Sequence, residues 1–240
     1  MNLEFKKSLS NKIVLSLVVL FLFLFLLGYF LPIGIDKVAH LSYGQYFFSA
    51  YTVATEFGFL LFSFVIAYFI NKEYSNKNTL FYKLIGNNVF SFFYKKVILL
   101  FIESFVCVLF FVTIVSLIYG DFSHYFMLVI LFSLVILQYI IIIGTVSIVS
   151  PNVLISIGIS IVYWISSIVL VAVNKHVFGI LAPFEASNSL YKSVDQVLSN
   201  QATAIDTHDI KTIVAFFILA FIVNLIVLSL SKKRWLKLGM

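Results

Sequence analysis

Residues Asn71 to Lys96 read NKEYSNKNTLFYKLIGNNVFSFFYKK, and this stretch decides how the chain is arranged. Five lysines (Lys72, Lys77, Lys83, Lys95 and Lys96) stand here against a single acid, Glu73. On both sides the sequence turns apolar for long enough to cross a bilayer. A basic, polar stretch between two such runs is expected to be a loop at the cytoplasmic face of a membrane.

Composition supports that reading. Of 240 residues, 62% are hydrophobic and 11% are charged, whereas soluble domains carry about a quarter charged residues. A water-soluble fold of this size cannot hide so much apolar side chain. The net charge of +6 therefore has to be placed relative to a membrane before it is read as affinity for nucleic acid. An abundance of Phe, Ile, Lys, Asn and Tyr points to an AT-rich bacterial genome.

A membrane-crossing helix needs about 20 apolar residues at a rise of about 1.5 Å each. Six segments qualify: Ile13 to Leu31, Phe47 to Ile70, Val97 to Tyr119, Tyr125 to Val149, Val153 to Val173, and Thr212 to Leu230. Met127 to Val173 runs almost uninterrupted, and as one helix it would reach about 70 Å, over twice the hydrocarbon thickness. Ser150-Pro151-Asn152 divides it. Proline disfavours a helical residue before it, and Ser and Asn favour a turn.

Charge parity supports six crossings. With both termini cytoplasmic, the inner side receives Lys6, Lys7, Lys12, the five loop lysines, Lys232, Lys233, Arg234 and Lys237, twelve basic residues, and the outer side receives four, Lys37, Lys175, Lys192 and Lys211. That asymmetry follows the positive-inside rule, and five crossings would break it. The expected fold is an all-α polytopic membrane protein with six transmembrane helices and a single domain over residues 1–240. The opening lysines and apolar run imitate a secretion signal. The run is longer than a signal core and no small-x-small site follows, so it is expected to stay as the first span.

Residues 1–12 place Phe5 and Leu9 one turn apart, the pattern of a short interfacial helix. The outer segment 174–211 spaces Leu190, Val194, Val197 and Leu198 as one helical face behind the capping candidates Ser187, Asn188 and Ser189. Ahead of that face, Gly179 and Pro183 break up a stretch able to dip into the outer leaflet.

Chemistry-bearing residues are few. Glu56 and Glu103 are carboxylates inside expected spans, where a charge costs a few kcal/mol (about 3 on insertion scales) and marks function by default. Glu56 is expected at the transport pathway or a subunit interface. Glu103 lies about two turns above Lys95 and Lys96 and is expected to pair with them. Gln138 and Asn224 are mid-span amides that join helices by hydrogen bonds worth roughly 1 kcal/mol. Ser156, Gly158 and Ser160 form a small-residue face for close helix packing. Catalysis has no support in the pattern. The four histidines fall in outer loops without metal-ligand spacing, Cys107 is the only cysteine, and no lysine follows a glycine, which rules out a P-loop. No metal site is expected.

The order of these elements resembles the ABC-2-type permease family, the membrane subunits of ABC exporters, with a type V exporter-like topology. The local likeness is carried by Asn71-Lys72-Glu73-Tyr74-Ser75-Asn76-Lys77-Asn78-Thr79-Leu80, followed by Ser91 and Lys95-Lys96. These are similar to the family's acidic residue, Gly-Thr-Leu-like step, short helix, and Ser and Lys at the start of the third span. Asn78 stands where glycine is usual, and Gly86-Asn87-Asn88 replaces a proline-bearing turn. The resemblance implies a coupling helix within Glu73 to Leu84, in a cytoplasmic coupling loop over residues 71–96, that engages a cytosolic ABC ATPase dimer through Glu73, Lys77, Asn78, Thr79, Leu80 and Leu84. It implies no cofactor on this chain, with ATP and Mg held by the ATPase. It further implies a second permease subunit, the same or a related chain, and a pathway near Glu56, Ser156, Gly158 and Ser160. The substrate class implied is a hydrophobic or amphipathic molecule such as an antimicrobial peptide or lantibiotic, exported across the bacterial cell membrane. The competing reading is an ion-coupled secondary carrier or channel using Glu56 and Glu103 as a relay.

Overall fold

The structure is a computed structural model that describes residues 2–35, 37–75 and 88–237, with side chains over 4–35, 37–72 and 88–231. Among the described residues it contains helices and turns but no strand. The helices are α1 (Asn2–Ser10), α2 (Ile13–Gly34), α3 (Tyr43–Glu56), α4 (Gly58–Ser75), α5 (Val89–Tyr119), α6 (Tyr125–Val149), α7 (Val153–Val173), the single turn α8 (Lys175–Phe178), α9 (Ser189–Leu198) and α10 (Thr207–Lys237). Five of them, α2, α5, α6, α7 and α10, are long and apolar enough to cross a bilayer unaided. The chain is thus an all-helical, multi-pass membrane protein.

The second crossing departs from expectation. Phe47 to Ile70 is not one rod: α3 and α4 meet at Phe57 with a bend of 54° and make a sixth crossing only as a broken pair. The cause sits on α6. Tyr139 Oη donates to the Ala54 carbonyl at 2.7 Å, just before the break. Its ring lies where a side chain on Gly58 would stand, with Cε2 3.1 Å from the position of an added Cβ. A side chain driven into the carbonyl ladder is a recognised source of a kink. Here Gly58 leaves room for it.

Helix α6 is the centre of the bundle and packs against α3, α4, α5, α7 and α10. Of its most apolar stretch 67% is buried, against 22% for α7 and α10, so those two helices turn broad apolar faces outward. The break at Ser150-Pro151-Asn152 falls as expected. Asn152 accepts from the Ile155 amide at 2.9 Å and caps α7, satisfying one of the donors a helix start leaves open. Helices α2 and α3 approach so closely at Gly28 that an added Cβ would lie 2.7 Å from Ala50 Cα.

The segment linking α7 to α10 folds back onto the bundle. Leu190, Val194, Val197 and Leu198 are all buried on the inner face of α9, the face their spacing marks. Asn188 accepts from the Ser189 amide at 2.8 Å and donates to the carbonyls of Gly179 and Ala182, which ties the cap to the turn before it. Beneath α9, Gly44 at the start of α3 touches the chain directly: an added Cβ there would lie 2.0 Å from the Leu198 carbonyl oxygen. Gly44→Val should lift α9 and destabilise the protein by about 1–3 kcal/mol, the usual cost of overpacking. Thermal unfolding of the detergent-purified chain measures this, and an unchanged midpoint would mean that α9 is not seated on α3.

Candidate functional site

Polar side chains gather in two places in the bundle. At the amino-terminal end, Lys96 and Glu4 are almost fully buried, and their Nζ and Oε2 atoms lie 3.2 Å apart. The same ammonium donates to the Phe69 carbonyl at 3.0 Å and sits 3.9 Å from the centre of the Phe69 ring. One charge thereby joins α1, α4 and α5. Lys72 Nζ donates to Asn11 Oδ1 at 2.6 Å and to Tyr68 Oη at 2.7 Å. Asn71 Nδ2 donates to Ser156 Oγ, linking the end of α4 to the start of α7. Both flanks of residues 76–87 are therefore anchored to other elements.

Helix α1 is placed by the same contacts. Lys12 takes a left-handed backbone (φ 58°) at the corner between α1 and α2. Glu4 and Ser8, one turn apart, face the protein, while Phe5 and Leu9 face outward. Ser8 Oγ donates to Glu103 Oε2 at 2.8 Å. This corrects the expected pairing of Glu103 with Lys95 and Lys96. Seven residues of helix rise about 10 Å, and the carboxylate that reaches Lys96 comes from α1 instead. Of the expected coupling residues, Lys77, Asn78, Thr79, Leu80 and Leu84 lie outside the described residues, and of Glu73 only the backbone, near the end of α4, is described.

Ser156, Gly158 and Ser160 do not share a face. The two serines are buried, and Gly158 is exposed, with no other element among the described residues within 4 Å of an added Cβ. Residues i and i+2 of a helix point nearly opposite ways, which separates the glycine. Asn224 joins three helices: it accepts from Tyr94 Oη at 2.8 Å and donates to Thr145 Oγ1 at 2.6 Å. Gln138 is buried beside Glu185, and its Oε1 has no partner among the described residues.

Midway along the second crossing, Glu56 is the last residue of α3, at the break. Its carboxyl adjoins that of Glu185, and the Ala186 backbone stands beside the pair. Glu185 and its neighbours Ala182 and Phe184 are buried, so the segment ahead of α9 is packed into the bundle. Tyr163 Oη holds it by donating to the Leu181 carbonyl at 2.9 Å. Burial first, and the Glu56 carboxyl second, push the Glu185 carboxyl up to about 7. Nothing in the local sequence marks Glu185, which reads as one more outer-loop acid. Glu4, Ser8 and Tyr139 are equally silent, because each acts through a partner far away in the chain.

Two outcomes follow from these contacts. Lys96→Met strands the Glu4 carboxylate in a buried place and should cost about 3–5 kcal/mol, while the Glu4→Gln, Lys96→Met double variant should recover much of it; additive losses in thermal unfolding would contradict the pairing. For Glu185, a carboxyl raised from its ordinary 4.5 to about 7 stabilises the fold fully below about pH 4.5, and that contribution is lost as pH rises through about 7. Glu185→Gln should make the fall of unfolding temperature across that window shallower, and an unaltered slope would remove the carboxyl from the account.

Comparison with known proteins adds the following. The model of the peptide export permease protein YydJ family matches residues 1–240. The chain is 55% identical over 240 residues, the full length of both, to the probable peptide export permease protein YydJ of Bacillus subtilis (strain 168). No solved structure matches.

Proposed function

This chain belongs to the YydJ peptide export permease family, and from that premise we propose that it is the membrane-spanning permease subunit of an ABC exporter. It moves a hydrophobic or amphipathic peptide out of the cell or its membrane, and a separate cytosolic ATPase drives it. ATP and Mg are held by that partner, and this chain binds no cofactor and catalyses no reaction. A second permease subunit, the same or a related chain, completes the pathway. The outward apolar faces of α7 and α10 leave room for lipid or for that subunit. The basic end of the bundle, with α1 and residues 76–87, lies in the cytoplasm, and α9 lies outside.

The observation that carries this reading is the anchoring of both flanks of residues 76–87. Lys72 reaches Asn11, Asn71 reaches Ser156, and Lys96 reaches Glu4 and Phe69. A push delivered there is passed to α1, α4, α5 and α7 together. In thermodynamic terms nucleotide favours one arrangement of the ATPase pair, and the anchored segment transfers that bias to the spans. The carrier alternative needs Glu56 and Glu103 joined in one relay. Glu56 adjoins Glu185 and Glu103 bonds to Ser8, two clusters on different elements.

The test is substitution of Thr79, Leu80 and Leu84 by aspartate in the chain co-expressed with its ATPase. Membrane insertion should stay as in the wild type, while peptide export is lost and ATP hydrolysis continues without it. Undiminished export would reject the coupling role of this segment.

A further inference from the structure

Behind the break between α3 and α4 lies a chamber of about 10 Å³, walled by Thr55, Gln138, Tyr139, Trp164, Ser167 and Glu185 among others. A space of roughly 10–15 Å³ holds one water-sized occupant, so no part of a peptide enters it. The walls are rich in lone pairs. Thr55 Oγ1 donates to the Tyr51 carbonyl at 3.1 Å, Tyr139 Oη to that of Ala54 at 2.7 Å, and Ser167 Oγ to that of Trp164 at 2.8 Å. Each hydroxyl hydrogen is thus committed to backbone, and the oxygens keep their acceptor capacity.

Two further acceptors have no partner among the described residues. Gln138 is 7% exposed, lines the chamber, and leaves Oε1 unsatisfied. Glu56 Oε1 is buried and equally unsatisfied, on the carboxyl that adjoins Glu185. The ionisable groups facing this pair are Tyr51 of α3, Tyr139 of α6 and Tyr191 of α9, while Asp209 of α10 acts on the adjoining Tyr51. All of them are neutral or negative. The Glu185 carboxyl, an orphan amide oxygen and three hydroxyl oxygens line a space for one small occupant, the Glu56 carboxyl adjoins them through Glu185, and no cationic side chain is among the groups acting on the pair.

We propose that this chamber is a binding site for one small monovalent cation, taken up either as a proton on the Glu56–Glu185 pair or as Na⁺ among the oxygens. In the first case the occupant of the chamber is water, which accepts from Trp164 Nε1, without a partner among the described residues, and donates to Gln138 Oε1. In the second the ion itself is held by the oxygens alone. Either way, one positive charge locks the segment 182–188 to the bend in the second crossing, and its loss sets two carboxylates against each other. The site stands on the contacts around Glu185 and does not depend on the ATPase reading.

Trp164 is its reporter. The other tryptophan is Trp235, so the full-length chain carrying Trp235→Phe in lipid nanodiscs has one indole, on the chamber wall. Its emission is followed from about pH 5 to about pH 9, a range wide enough to titrate a raised carboxyl, in NaCl and in choline chloride of equal ionic strength. A saturable Na⁺ response that protons suppress identifies an ion site, and a pH response indifferent to Na⁺ identifies a proton site. Either response should be lost in Glu185→Gln and in Gln138→Met. Should the first variant misfold, the second and the parent chain still decide. Emission insensitive to both cations, or responses that persist in the variants, would overturn the proposal.

Discussion

A charge inside hydrocarbon has no water to turn to, and the protein must supply its partner or keep it neutral. That constraint organises this molecule. Its spans are so uniformly apolar that van der Waals packing sets little beyond closeness, as between Gly28 and Ala50. The few buried polar groups then decide which helix stands where. Lys96 draws in α1 through Glu4, Asn224 ties α10 to α5 and α6, and the carboxyls of Glu56 and Glu185 hold the segment ahead of α9 against the second crossing. Each contact replaces hydration that the bilayer cannot provide.

The two polar clusters are mechanically connected through one bent crossing. Helix α4 begins at the kink made by Tyr139 and Gly58 and carries, in its last two turns, Asn71 and Lys72, which are bound to α7 and to the α1–α2 corner. Helix α3 runs from the kink to Gly44, on which α9 rests. A change of bend angle therefore moves both the anchored basic end and the covering helix at the other end. Bends of this kind let a packed bundle adopt discrete arrangements rather than deform continuously. Motion driven from one end of the bundle thus has a route to the other.

Much of this architecture is legible in the sequence because hydropathy windows and turn chemistry are local. Ser150-Pro151-Asn152 divides α6 from α7 where proline and the turn-favouring Ser and Asn say it should. Leu190, Val194, Val197 and Leu198 bury as one face. The bend at Phe57 is not legible, since Glu56-Phe57-Gly58 sits within a continuous apolar run and its cause, Tyr139, lies on another helix. The pairing of Lys96 with Glu4 escapes for the same reason. A lone glutamate near the amino terminus reads as a surface charge until α1 is seen to fold back. Gly158 shows the converse: three small residues in a row of alternate positions suggest one face, but helical geometry sends the middle one the other way.

The central claim is that this polypeptide transduces motion and does not itself harvest energy. The most direct measurement is flux of a fluorescent amphipathic peptide across liposomes holding the purified chain, with and without its ATPase and ATP. The account predicts no flux from the chain alone under any ion gradient, and transport only once ATPase and nucleotide are both present. Sustained peptide flux from the chain by itself would contradict it.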